Sequence, residues 1–156
     1  MKGSLILGAA VLALSVSTVS AQGTKGLAGK WELDAAKTKA ANVEGFGQGM
    51  ILPSPVTLVL EGNVLTLTIE SPKGARTTTY KLDGKEQPAP EGDGTVTGKR
   101  EGARIILLTV RQRETGEFRS TAEYSQDGDA LVVSTTAPPR GGGNPVTSTL
   151  IYKRAG

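Results

Sequence analysis

Residues 96 to 133 read VTGKREGARIILLTVRQRETGEFRSTAEYSQDGDALVV. Three short turns, at Arg100-Glu101-Gly102, Glu114-Thr115-Gly116 and Asp127-Gly128, separate runs in which apolar and polar residues alternate. This pattern predicts an antiparallel β-meander, because successive side chains of a strand point to opposite faces of the sheet. The central run, Arg104 to Val110, is apolar on both faces and shows no helical period, as expected of a strand deep within a sheet.

Turn chemistry predicts the register of these strands. A glycine at the third place of Glu114-Thr115-Gly116 suits a three-residue loop that ends in a left-handed residue. Arg113 then faces Glu117, and the second loop, at residues 100–102, sets Val96 against Ile106. The predicted core face pairs Val110 with Ser120, Leu108 with Ala122 and Ile106 with Tyr124.

Ile105 and Leu107 fall on the outward face in this register, beside Arg111 and Arg113. They are predicted either to be covered by the connections at residues 37–55 or 83–93, or to form an exposed apolar strip for a protein partner or a dimer. The sequence does not fix an oligomeric state.

The rest of the chain predicts further strands and few other elements. Before the meander they are Leu27 to Leu33, Val56 to Glu61, Val64 to Glu70 and Ala75 to Leu82, and after it Ala130 to Thr136 and Val146 to Lys153. The hairpin turn at Gly62-Asn63 pairs Leu58 with Leu67, and the next strand places Arg76 beside Ile69, on the inward side. A two-residue turn at Asp127-Gly128 would put Leu131 and Val133 inside. Lys37 to Pro55 and Asp83 to Asp93 are predicted loops, and no stretch predicts a convincing amphipathic helix.

The predicted fold is all-β, an antiparallel up-and-down meander of about eight to ten strands closed into a barrel. Nine strand candidates are present. Because an all-antiparallel closed barrel needs an even count, either Gly49 to Leu52 adds a tenth strand or one terminal strand lies outside the closure.

Gly29-Lys30-Trp31 lies in the first predicted strand, ahead of the meander. The simplest interpretation is a core tryptophan at the edge of the sheet. The segment also resembles the Gly-x-Trp motif of lipocalins and the wider calycin barrels. This resemblance implies a calycin-like barrel in which Trp31 packs at the floor beneath a cation from a late strand, here Arg154 or Lys153, through a cation–π contact.

The first residues have the pattern of a secretory signal peptide: Lys2, an apolar run from Leu5 to Leu14, and small residues at Val19-Ser20-Ala21. We therefore predict a signal peptide over residues 1–21 and a single barrel domain over residues 22–156, exported to the periplasm or the extracellular space. The apolar run is short for a bilayer span, and the chain has no cysteine to carry a lipid anchor, so no stable membrane anchor is expected.

The chain contains no Cys and no His. These absences exclude thiol nucleophiles, Ser-His-Asp triads, zinc sites of His or Cys, and haem ligation by either residue, so no metal and no cofactor is predicted. A net charge of +3 and few aromatics argue against nucleic-acid binding. An enzyme is not expected either, because the acids that remain lie on loops with nothing to raise one pKa selectively: Glu44, Glu86, Glu91 and Asp93.

The candidate site is a pair of arginines at strand ends. In the predicted meander, the turns at residues 71–74, 100–102 and 127–128 share one end of the barrel, where Arg76 and Arg104 both point inward. We predict that they bind the acidic head of a small apolar or amphipathic ligand, with Phe46 as a lid. The alternative is a structural or protein-interaction module whose barrel is filled by its own side chains, with both arginines extending into solvent.

Overall fold

The computed structural model describes residues 26–41, 55–90, 92–139 and 142–156, which form one antiparallel sheet of ten strands. Each strand pairs with its neighbour in sequence, except that the fourth and fifth strands are the two edges of the sheet. The first strand pairs with the last, so the sheet rolls into a nearly closed barrel. The all-β meander predicted from the sequence is confirmed. The strands are β1 (Gly29–Leu33), β2 (Val56–Glu61), β3 (Val64–Ser71), β4 (Gly74–Lys81), β5 (Asp83–Pro88), β6 (Thr95–Glu101), β7 (Arg104–Arg113), β8 (Gly116–Asp127), β9 (Ala130–Ala137) and β10 (Val146–Arg154), with a short helix, α1 (Ala35–Ala41), after β1.

The tenth strand is β5, in a stretch predicted to be a loop, so that prediction was wrong. Its sequence, DGKEQP, lacks the apolar alternation of a half-buried strand, and most of its side chains are exposed. It pairs with β6 alone, across a register shift between Asp83 and Glu86. The alternative candidate, Gly49 to Leu52, lies outside the described residues.

The additional strand changes which turns share an end of the barrel. Every strand after β5 runs opposite to the direction predicted for it. The turns at residues 62–63, 102–103 and 128–129 therefore lie together, at what we call the floor end. The turns at residues 72–73 and 114–115 lie with α1 at the other end, which we call the helix end.

The seam between β4 and β5 is held by a side chain in place of a backbone ladder. The Gln87 amide donates through Nε2 to the Lys81 carbonyl at 3.0 Å, and its Oε1 accepts from the Lys81 N–H at 3.2 Å. Gly98 lets this crossing come close, because a Cβ at that position would lie 2.5 Å from the Lys81 oxygen. The seam is thus closed by close packing over Leu82, which is buried.

The register of β7 against β8 differs from the prediction by one residue, and that of β6 against β7 by three, since Val96 lies opposite Thr109 and not Ile106. The structure pairs Arg113 with Gly116 and Ile105 with Tyr124, so the loop contains two residues. The loop before β7 is likewise Gly102-Ala103, which sets Glu101 opposite Arg104. This arrangement opposes unlike charges, which favours it.

The shift exchanges the two faces of β7. Ile105 and Leu107 are buried in the core, whereas Ile106 and Leu108 lie on the outer face, so the predicted exposed strip does not exist. The predicted pairings of β2 with β3 and of β3 with β4 are confirmed, as is the inward placement of Leu131 and Val133. The core joins residues from most of the strands: Trp31, Val56, Leu58, Leu65, Leu67, Val96, Ile105, Leu107, Tyr124, Leu131, Val133, Leu150 and Tyr152.

The helix α1 was not predicted, and it is attached to the barrel through one buried hydroxyl. Thr38 Oγ1 donates to the Ile151 carbonyl at 3.2 Å and accepts from the Ile151 N–H at 2.9 Å, which satisfies the edge of β10 beyond the end of β1. Asp34 caps the helix by accepting from the Lys37 N–H. Among the described residues, no helix has the length and apolar character that a membrane span requires.

Candidate functional site

Trp31 and Arg154 close the floor end of the barrel. The indole is fully buried, and the Arg154 guanidinium carbon lies 4.3 Å from the ring centroid, so Arg154 is the cation over the ring. Its Nη1 and Nη2 donate to the carbonyls of Ala28 and Gly26 at 3.2 and 2.8 Å. Gly29 makes room for this side chain, since a Cβ there would lie 2.6 Å from Nη1. The closure ties the first and last strands together.

Arg104 does not line the interior. Its side chain lies on the outer face, where Nη1 donates to Glu123 at 3.0 Å and Nη2 lies 3.5 Å from Glu101. Its predicted position was wrong for two reasons. The register of β7 turns Arg104 outward, and the additional strand β5 puts it at the floor end. Arg76 lies at the helix end, so the two arginines are far from a common site. Phe46 lies outside the described residues.

The structure brings a different arginine to the helix end. Arg111 lies on the same face of β7 as Ile105 and Leu107, so its stem points inward and it is half-buried. Gly94 packs against this stem, because a Cβ there would lie 3.0 Å from the Arg111 Cγ. Arg76 is on the inward side of β4, three residues after the turn at residues 72–73, and it is exposed. Both cations therefore lie on interior-facing positions at the same end.

A third arginine adds to the positive charge there. Arg113, the last residue of β7, lies over the Phe118 ring, with its guanidinium carbon 4.0 Å from the ring centroid. The sequence pattern could have identified Arg111 if the loop had been read as Glu114-Thr115 alone. That reading places Ile105 opposite Tyr124 and so turns the face that Ile105 shares with Arg111 inward.

Exposure inside the barrel changes from one end to the other. Towards the floor end, the inward side chains of Trp31, Leu58, Ile105 and Leu131 have no accessible surface. Towards the helix end, inward positions such as Thr109 are only half-buried. The inward side chains are thus fully buried towards the floor, whereas several at the helix end are half-buried; we call the helix-end part of the barrel its open half.

Two tyrosines carry polar groups into the filled region. Burial raises the pKa of Tyr124 and that of Tyr152 well above the ordinary tyrosine range, and a neighbouring tyrosine raises each further. The Tyr152 hydroxyl is buried and has no hydrogen-bond partner among the described residues. Both phenols therefore stay neutral at any physiological pH.

A separate cavity of about 480 Å³ lies at the floor end. It has apolar walls and two polar side chains, and it is lined by Gly26, Leu27, Ala28, Leu60, Arg100, Ala103, Gln126 and Gly128. The Arg100 Nε donates to the Gly102 carbonyl at 3.2 Å. This cavity is lined by one cation, Arg100, whereas Arg76, Arg111 and Arg113 all lie at the helix end.

The chain has no Cys or His, so carboxylates are the remaining charged candidates for metal ligands in the described part of the chain. There, no cluster of three acidic side chains could hold a metal ion. The pKa of Glu101 is lowered, first by a hydrogen bond from Lys99 and then by the charge of that lysine. This direction keeps the carboxylate ionised, whereas a general acid needs the opposite shift.

No protein-family model and no curated protein sequence matches the chain. Its backbone is similar to those of several solved structures. The REP1-NXSQ fatty acid transporter superposes with a TM-score of 0.55 at 19% identity, over 83% of this chain and 96% of that one. The fold is that of a calycin barrel.

Two further calycin-like structures give the same result. Caenorhabditis elegans lipid binding protein 8 superposes with a TM-score of 0.57 at 13% identity, covering 85% of this chain and 97% of that one. Secretory abundant heat soluble protein 4 from Ramazzottius varieornatus gives 0.57 at 20% identity, covering 85% and 96%. At these identities the likeness establishes the fold alone, and it confirms the resemblance of the sequence to calycin barrels.

Proposed function

We propose that this protein is an exported carrier that binds a small organic acid in the open half of its barrel. The observation that carries the proposal is the position of Arg76 and Arg111, on inward-facing positions at the helix end, above a floor that is filled with apolar side chains. Guanidinium groups pair with carboxylates through two parallel hydrogen bonds, and such pairs gain strength where water is partly excluded.

The interior also offers an apolar surface for the body of the ligand. Val56 and Ile69 face inward near the helix end, on β2 and β3, and Val56 is buried. A molecule with a carboxylate and an apolar body would place the first against the arginines and the second against these strands. The names of two barrels with the same fold, a fatty acid transporter and a lipid binding protein, are consistent with this class of ligand.

Binding is best tested with dodecanoate and three matched variants. Charge-assisted hydrogen bonds contribute roughly 1.5–3 kcal/mol, so Arg76→Gln and Arg111→Gln should each weaken binding about tenfold or more in isothermal titration calorimetry. Arg104→Gln removes a guanidinium from the outer face and should leave the affinity unchanged. Equal losses in all three variants would point to a nonspecific effect of charge and would refute the site.

Absence of acid binding by the wild-type barrel would favour the second candidate function, a structural or protein-interaction module. The filled floor end supports that candidate, because side chains alone pack half of the interior. Export is a separate part of the proposal and rests on the signal-peptide pattern of residues 1–21. Expression of the full chain with N-terminal sequencing of the secreted product should give Gln22 as the first residue, and retention of Met1 in the cytosol would refute export.

A further inference from the structure

We infer that the ligand is a facially amphipathic acid: its body carries hydroxyl groups along one face and is apolar along the other. This inference rests on the proposed function and concerns the same site. The open half of the barrel has two different walls, and together they fit such a molecule better than the unbranched chain of a fatty acid.

Hydroxyl groups line one wall of the open half. Thr109 on β7 pairs with Ser120 on β8, and Thr135 on β9 pairs with Ser148 on β10. All four lie on the inward face of their strands, as shown by their alternation with core residues, and all four are half-buried. Within the part of the chain that the structure describes, none of these side-chain hydroxyls makes a hydrogen bond. The wall thus presents four hydroxyl groups with unused capacity to donate and accept.

On the outer face of the same sheet, cross-strand pairs of hydroxyl side chains are hydrogen-bonded to each other. There, cross-strand neighbours bond directly, at 2.7 Å for Thr136 with Thr147, 3.0 Å for Thr68 with Thr77 and 3.4 Å for Ser134 with Thr149. The inner pairs form no such bond. In the β9–β10 ladder, where hydrogen-bonded and non-hydrogen-bonded pairs alternate, Thr135 and Ser148 form the opposite type of pair from Thr136 and Thr147. Their hydroxyls are therefore available to a molecule inside the barrel.

The opposite wall is apolar. In the order of the ten strands, β2 lies five strands from β7 and β3 lies five strands from β8, which is half of the circuit. Val56 and Ile69 therefore face the wall that carries Thr109 and Ser120. The inward faces of β2 and β3 carry no charge and one hydroxyl, that of Ser71 at the end of β3, which donates to the Gly74 carbonyl at 2.9 Å. The neighbouring strand β4 adds the half-buried Thr78 on this side.

This asymmetry selects between ligand classes. An alkyl chain would cover the hydroxyl wall and remove its water without replacing the lost hydrogen bonds, which weakens binding. A body with hydroxyls on one face would restore those bonds and still bury its other face against Val56 and Ile69. Each neutral hydrogen bond formed in this way should change affinity by roughly two- to tenfold.

The test compares cholate with 5β-cholanate, which share a ring skeleton and a carboxylate side chain and differ in the hydroxyls on one face of cholate. The wild-type protein should bind cholate at least about tenfold more tightly, as measured by calorimetry. The double variant Thr109→Val/Thr135→Val keeps the shape and β-branching of both side chains, and it should bring the two affinities within about twofold. Thermal unfolding verifies that the variant folds.

Two controls isolate the hydroxyl wall. Thr136→Val removes a hydroxyl from the outer face of β9 and should keep the preference for cholate. Thr135→Ser retains the inward hydroxyl and should keep it too. The inference is overturned if wild type binds 5β-cholanate as tightly as cholate, or if the double variant keeps the preference.

The outcomes separate this inference from the proposed function. Binding of dodecanoate and both steroid acids without any preference, lost on Arg76→Gln or Arg111→Gln, would overturn the facial inference and leave the carrier function standing. No binding of any of the three acids would overturn both.

Discussion

Ile105 and Ile106 are neighbours of the same residue type, and the structure assigns them to opposite faces of β7. Ile105 has no accessible surface and lies beside Tyr124, whereas Ile106 is half-buried on the outer face, between Lys99 and Glu123. Truncating a buried isoleucine to alanine costs about 2–5 kcal/mol, because the transfer free energy is lost and a cavity remains. With its side chain completely enclosed, we expect Ile105→Ala to lower the free energy of unfolding by about 3–4 kcal/mol.

Ile106→Ala loses β-propensity and part of a half-exposed surface, which together amount to about 1 kcal/mol. Urea unfolding followed by the fluorescence of Trp31, the single tryptophan of the chain, measures both values. With a urea slope near 2 kcal/mol/M, the midpoints of the two variants should differ by about 1 M. An equal or greater loss in Ile106→Ala would refute the register, since a slip of one residue exchanges the faces.

Three further predictions concern the closures of the barrel and its buried tyrosines. Gly29→Ala should displace Arg154, because the new Cβ would lie 2.6 Å from Nη1, and it should strain a backbone whose φ is +138°. We expect the free energy of unfolding to fall by about 1–3 kcal/mol in thermal unfolding. An unchanged stability would contradict the closure. Thr38→Val should lower stability by about 1–3 kcal/mol, because it leaves the Ile151 N–H of β10 unpaired, while the Ile151 carbonyl still accepts from the Asp34 N–H. Thr38→Ser, which keeps the hydroxyl, should lose much less. The pKa values of Tyr124 and Tyr152 are raised in the folded protein, so at high pH the unfolded chain releases two protons that the folded chain keeps. The free energy of unfolding should therefore be unaffected below about pH 10. Above about pH 10 it should fall by up to about 2.7 kcal/mol per pH unit. Urea titrations at pH 9 and 11 measure this slope, and equal stability at both would contradict the burial of the phenols.

The sequence predicts the fold where turn chemistry and hydrophobic alternation agree. The hairpin of β2 and β3 is an example, because a polar turn at Gly62-Asn63 joins two runs that each place three apolar side chains on one face. The cation over Trp31 was also predicted from the sequence, because the Gly-x-Trp motif of the first strand implied a basic partner among the residues that end the last strand.

The errors have two physical causes. The strand β5 is largely exposed and pairs on one side only, so its sequence needs no apolar alternation and gave no signal. The run from Arg104 to Val110 is apolar on both faces, so hydrophobicity does not choose its register and the decision depends on a turn that is compatible with two lengths. That one-residue error assigned Arg104 to the interior in place of Arg111.

The most direct test of acid binding at the helix end is a two-dimensional ¹H–¹⁵N NMR titration of the protein with dodecanoate. The account predicts shift changes concentrated at backbone amides of the helix end, such as those of Arg76, Thr109 and Ser120, with little change at Arg100 and Gln126 in the floor-end cavity. Shift changes confined to that cavity, or none at saturating dodecanoate, would contradict it.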